Sequence, residues 1–149
     1  MDEDAFREQF DALRERPCVF QRALFTRLVD CSQARWIHLA ERVGVSCGSE
    51  AAHARCRRWL ELLRENSRFA LRRKGDEPLK HYDLLRMEIG GILGLQRVVL
   101  GREPKRGEVP DVQALIRQAE ATFGTLDRIP FGPVVQSIAA YRIRRRRKR

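Results

Sequence analysis

No stretch of this sequence approaches the roughly 20 consecutive apolar residues that a membrane span requires. Its acidic start, Met1, Asp2, Glu3 and Asp4, is the opposite of a secretory or mitochondrial leader. Both absences point to a cytoplasmic protein. The alternation of apolar and polar residues that marks a half-buried strand is missing too. Histidine is scarce, with His38, His53 and His81 the only three. No serine sits in a nucleophile-elbow sequence, and no carboxylate falls in a recognisable acid–base or metal-ligand motif. The chain therefore reads more readily as a non-enzyme. Cys-x-x-Cys, the spacing of zinc knuckles and of dithiol redox motifs, is absent although four cysteines are present.

What is there begins with a length of 149 residues and a hydrophobic content of 43%, enough for one domain with a real core. The formal net charge of +10 suggests nucleic acid at first sight. Its location changes that reading. Arg142, Arg144, Arg145, Arg146, Arg147, Lys148 and Arg149 supply seven of the positive charges, leaving about +3 for residues 1–141. Residues 142–149 thus form a self-repelling tail, expected to be disordered when free and suited to an anionic partner, nucleic acid or an acidic protein surface, without reading sequence.

Apolar spacing predicts an all-α domain over residues 1–141, with six to seven helices. Phe6, Phe10 and Leu13 mark a first helix that Pro17 stops. Val19, Phe20, Ala23, Leu24, Leu28 and Val29 mark a second. Ser32 is read as the N-cap of a third, with Ala34, Trp36, Ile37, Ala40 and Val43 inside and Gly44 as its stop. Ser49 caps a long fourth helix with Ala52, Cys56, Trp59, Leu60 and Leu63 on one stripe, extended by Phe69 and Leu71. A fifth runs from about residue 79 to 100.

Gly90, Gly91 and Gly94 lie within that fifth helix, where each glycine costs about 1 kcal/mol relative to alanine. Close approach of another helix would offset this, within the chain or across a homodimer. Gly-Gly-Ile-Leu-Gly matches neither a P-loop nor a dinucleotide fingerprint. A polar linker at about 101–110 precedes two last helices, the first capped by Asp111 and ended by Gly124, the second opened by Pro133.

The four cysteines are spaced C-x12-C-x15-C-x8-C: Cys18, Cys31, Cys47 and Cys56. In a reducing cytoplasm they point to metal, redox chemistry or packing rather than disulfides. Three fall near predicted helix ends, where free N–H groups favour thiolates, the form that binds metal. The wide spacing suits an iron–sulfur cluster, whose ligands come from separated segments, better than zinc, which remains the alternative metal. His53, one turn before Cys56, can replace a cysteine as ligand. Against a shared site, Cys56 has a packing role on its stripe and Cys31 a partial one, which allows for no cofactor at all. Cys18 and Cys47 are the two that packing explains least.

A second reading rests on Leu39, Ala40, Glu41, Arg42, Val43, Gly44, Val45 and Ser46. These resemble the first helix and turn of helix-turn-helix DNA readers. The resemblance implies a recognition helix after the turn, with Arg55, Arg57 and Arg58 facing phosphates. The sequence departs from that family at Glu50, Ala51, Ala52 and His53, where buried aliphatic residues are expected. The leading expectation is a small metal-binding, iron–sulfur, accessory or electron-transfer protein. A nucleic-acid-binding regulator and a non-catalytic helical interaction module with buried structural cysteines are the alternatives.

Overall fold

The computed structural model describes residues 2–71, 80–101 and 109–142. Along these the elements are α1 (Glu3–Leu13), α2 (Gln21–Phe25), β1 (Ala34–Leu39), β2 (Arg42–Cys47), α3 (Glu50–Ser67), α4 (His81–Leu100), α5 (Val112–Phe123) and α6 (Phe131–Ala140), with a 3-10 turn at Leu126–Arg128. The helix starts follow ordinary capping chemistry. Ser49 Oγ accepts the Ala52 N–H at 3.1 Å and Asp111 Oδ1 that of Ala114 at 3.4 Å, each filling one of the vacant bonds of a first turn. Gly101 and Gly124, at φ 68° and 85°, end α4 and α5 in backbone conformations that favour glycine.

The all-α expectation fails at residues 34–47, which form an antiparallel hairpin instead of a third helix. Leu39 pairs with Arg42, leaving Ala40 and Glu41 as a two-residue turn. Ala40 takes φ 54°, the positive φ that short hairpin turns require and that Asn or Gly usually supplies. With alanine there, the sequence carries no turn signal, and Leu-Ala-Glu-Arg reads as helix. Gly44 is consequently no helix stop. A Cβ on it would lie 2.6 Å from Phe10 Cζ, so glycine makes room for the α1 ring against the hairpin.

The second helix is also shorter than its apolar spacing predicts. Thr26 Oγ1 donates to the Ala23 carbonyl at 2.6 Å and accepts the Leu28 N–H at 3.2 Å, while Arg27 turns to φ 65° and lays its guanidinium 4.1 Å from the Trp36 ring centre. Side-chain bonding of this kind competes with the helix ladder and ends it. At the end of α3, Leu71 is buried but Phe69 is 94% exposed, so the apolar stripe does not extend through it.

Around α4 the packing is close. A Cβ at Gly90 would meet Ile138 Cα at 2.8 Å, and one at Gly94 would meet Val134 Cα at 2.9 Å; the glycines let the α6 backbone settle directly on α4. A Cβ at Gly91 would instead meet the Leu63 side chain of α3 at 2.7 Å. Met87, Ile89, Ile92 and Leu95 fill the interior from α4, Ile116 and Ala119 from α5, and Trp59 from α3, the last stacked on Phe131 with ring centres 5.6 Å apart. The last two helices thus share a core with the rest of the chain. Among the described residues no helix is long and apolar enough to cross a membrane. Of the linker expected at about 101–110, residues 102–108 lie outside the described residues, and of the tail expected at 142–149, residues 143–149 do.

Candidate metal centre

The hairpin that overturned the helical reading is what gathers the cysteines. Residues 16–18 run antiparallel along β2, with Pro17 opposite Ser46. The Cys18 N–H donates to the Val45 carbonyl at 2.9 Å, and the Cys47 N–H to the Arg16 carbonyl at 2.7 Å. In such a pairing, Cys18 and the Val45 opposite it share a face, and so does Cys47, two residues further on. Cys18 and Cys47 thereby become neighbours across 28 intervening residues.

Cys31 arrives from the turn before β1, where its carbonyl accepts the Ala34 N–H at 3.1 Å and its own N–H donates to Asp30 Oδ1 at 2.8 Å. This turn is tied to the start of α5: Asp111 Oδ1 accepts the Ser32 N–H at 3.0 Å, and Gln113 Nε2 donates to Ser32 Oγ at 3.2 Å. Cys56 projects from the second turn of α3, whose N-cap region also receives Cys47, its thiol donating to the Ser49 carbonyl at 3.2 Å.

All four cysteines, together with His53, line a single cavity. They are free thiols. About 20 Å³ inside it admits the centre of a water-sized sphere. That is room for about one water. Among the described residues no group of three or more His, Cys, Asp or Glu side chains is placed to hold a metal ion, so the four cysteines share a cavity without being arranged as a ligand set.

Electrostatics describe thiols kept neutral by burial. Burial pushes the Cys18 thiol up to about 12, with the Phe20 backbone N–H opposing the shift and Cys31, Cys47 and Glu88 reinforcing it. Cys31 is also raised, chiefly by burial, against the N–H groups of Gln33 and Gln113 that face its sulfur. Cys56 is raised by burial and then by the other three cysteines. Reactive redox thiols have the opposite character, lowered and exposed. A thiolate here needs a cation to replace its proton.

His53 Nε2 lies 2.9 Å from the Pro17 carbonyl, which ties α3 to the Cys18 segment; ligation by this ring would fall to Nδ1. The helix-turn-helix reading has no structural counterpart, because residues 39–46 are strand, turn and strand. Arg55 pairs with Glu120 at 3.3 Å, and Arg58 with Glu61 at 3.2 Å and with Asp127. Of the tail arginines only Arg142 is described, and its Nη1 donates to the Ala139 carbonyl at 2.7 Å at the end of α6; Arg144, Arg145, Arg146, Arg147, Lys148 and Arg149 lie outside the described residues. The N–H groups of Phe20, Gln33 and Gln113, which face the sulfurs, had no signal in the sequence, since backbone donors carry no residue identity. No protein-family model, curated protein or solved structure matches the chain.

Proposed function

We propose that Cys18, Cys31, Cys47 and Cys56 hold an iron–sulfur cluster, and that the protein serves as a small accessory or electron-transfer factor. The observation that carries this reading is the meeting of four distant cysteines on one cavity. Packing alone has no need to bring every cysteine of a chain to the same place. Two further features support it. Iron–sulfur clusters take four thiolates, the number that lines this cavity. Backbone N–H groups face the Cys18 and Cys31 sulfurs, and hydrogen bonds of that kind stabilise ligated thiolates and tune cluster potential.

When bound, the cluster supplies a centre that takes up and releases single electrons. The chain's own part is to hold it: the buried Phe20 and Leu24 give the cavity apolar walls, while His53 and Ser49 fix α3 against the strand pair.

The test is anaerobic purification followed by a visible absorption spectrum, on the wild type and on Cys18→Ser, Cys31→Ser, Cys47→Ser and Cys56→Ser. The expected result is a brown protein whose absorption bleaches on reduction, with most of the colour lost in each variant. Colourless protein with one zinc per chain selects the zinc alternative. A metal-free protein whose four variants fold normally sinks the reading, and leaves a helical interaction module with structural cysteines.

A further inference from the structure

One face of the hairpin packs against α1 at Gly44, and the opposite face carries Trp36 across from Val45 and His38 across from Val43. Val45 is buried, but Trp36 is only half-buried and Val43 is 41% exposed. Phe25, 43% exposed at the end of α2, lies beside Trp36 with ring centres 5.8 Å apart. Arg27 sets its guanidinium 4.1 Å from the same indole ring and has no carboxylate partner among the described residues. It does so from φ 65°, a backbone state that residues other than glycine seldom take and that clusters at ligand sites when they do. Of the nearby carboxylates, Asp30 accepts the Cys31 N–H and Glu41 stands in the hairpin turn. Phe25 also walls a cavity of about 380 Å³ with Arg22 and His81. Glu88 lies in that wall too, but it is 2% exposed and its Oε2 accepts from Arg22 Nη1 at 3.0 Å. A ligand there meets the Arg22 side chain, which is 36% exposed.

We propose that this surface binds single-stranded nucleic acid without reading its sequence, with bases stacked on Phe25 and on the Arg27–Trp36 pair and phosphates held by Arg27 and Arg22. Every base has a face that stacks on aromatic rings and on guanidinium planes, and the backbone beside it supplies the negative charge. The two halves of the surface ask for both properties at once. An uncharged apolar partner would leave the Arg27 charge unmatched, and a plain polyanion would make no use of the exposed rings. A duplex keeps its base faces inside its own stack, so the rings select the single strand. The surface is distinct from the arginine-rich tail, which attracts any polyanion, and it stands whatever the four cysteines hold.

The experiment titrates the full chain with short oligothymidylate and oligouridylate, set against inorganic polyphosphate and poly-L-glutamate, and follows tryptophan emission together with the anisotropy of a labelled oligonucleotide. Trp59 is fully buried, so a change in the solvent-open part of the emission reports Trp36. Saturable quenching by at least one oligonucleotide is expected, with polyphosphate binding without quenching; the tighter of the two strands names the sugar. Phe25→Ala, Arg27→Ala and Arg27→Lys should each weaken the oligonucleotide about tenfold, as loss of one stacked base implies; the lysine variant keeps the charge but not the planar group. Should these variants fail to fold, the wild-type comparison with polyphosphate decides alone. Oligonucleotides that bind without quenching, or unchanged binding in all three variants, leave only the tail as the binding element and overturn the proposal. Quenching by poly-L-glutamate and by neither oligonucleotide overturns it in favour of an acidic protein segment.

Discussion

Glu88 is the residue whose environment is most at odds with its chemistry. Burial pushes its carboxyl from the ordinary 4.5 up to about 7, against the pull of Arg22 and, more weakly, Arg64. A carboxyl raised in the folded state holds its proton longer than in the unfolded chain. The stability this gives is present below about pH 4.5 and is lost as pH rises through about 7. The shift corresponds to roughly 3 kcal/mol at most. Chemical denaturation across that window should therefore show a falling stability in the wild type and a flatter profile in Glu88→Gln. A wild-type profile that rises from pH 5 to 7, by contrast, would mean that Arg22 outweighs burial.

Glycine provides a second residue-scale test. Gly90→Ala would place a methyl 2.8 Å from Ile138 Cα, a backbone atom that cannot swing aside. Alanine's gain of about 1 kcal/mol in helix propensity is then set against an overpacking cost of about 1–3 kcal/mol, and net destabilisation is expected in urea unfolding. Gly132, with nothing within 4 Å of an added Cβ, serves as control: Gly132→Ala should be neutral or stabilising.

At the scale of elements, what the sequence made legible was what local chemistry enforces. Ser49 and Asp111 begin helices as their side chains predict, Gly124 ends one, and the small residues of α4 admit another helix. The hairpin was illegible for two physical reasons. Ala40 adopts the turn geometry without being the residue that favours it. In β2, Gly44, Val45 and Ser46 are buried in succession, because α1 packs at Gly44 on one face and Val45 joins the core on the other, so no alternation survives. Replacing Ala40 by glycine should relieve the left-handed alanine, worth about 1–2 kcal/mol, less the roughly 0.5–1 kcal/mol of glycine's chain entropy. Ala40→Gly is expected to raise stability by a few tenths to about 1 kcal/mol. A lower melting temperature in this variant would place the strain elsewhere.

Across the whole molecule, the candidate site was half legible. The number and clustering of the cysteines are in the sequence, and Cys18 and Cys47 stood out because packing explained them poorly. Their meeting was not legible, since it depends on the hairpin that the sequence hides and on the pairing of residues 16–18 with β2. The same arrangement predicts linkage to pH. Burial raises Cys18, Cys31 and Cys56 above the ordinary thiol value, so under the proposed reading a cluster bound by them would displace protons. Reconstitution should become less complete as pH falls, and proton uptake or pH-independent loading would show that other groups bind the metal.

The most direct measurement is the iron and acid-labile sulfide content of the full chain purified without oxygen. Equal amounts of iron and sulfide, both lost when Cys18 and Cys47 are replaced together by serine, are the predicted result. Iron and sulfide both absent after anaerobic reconstitution, with all four thiols still titratable, would contradict the assignment of Cys18, Cys31, Cys47 and Cys56 to a cluster.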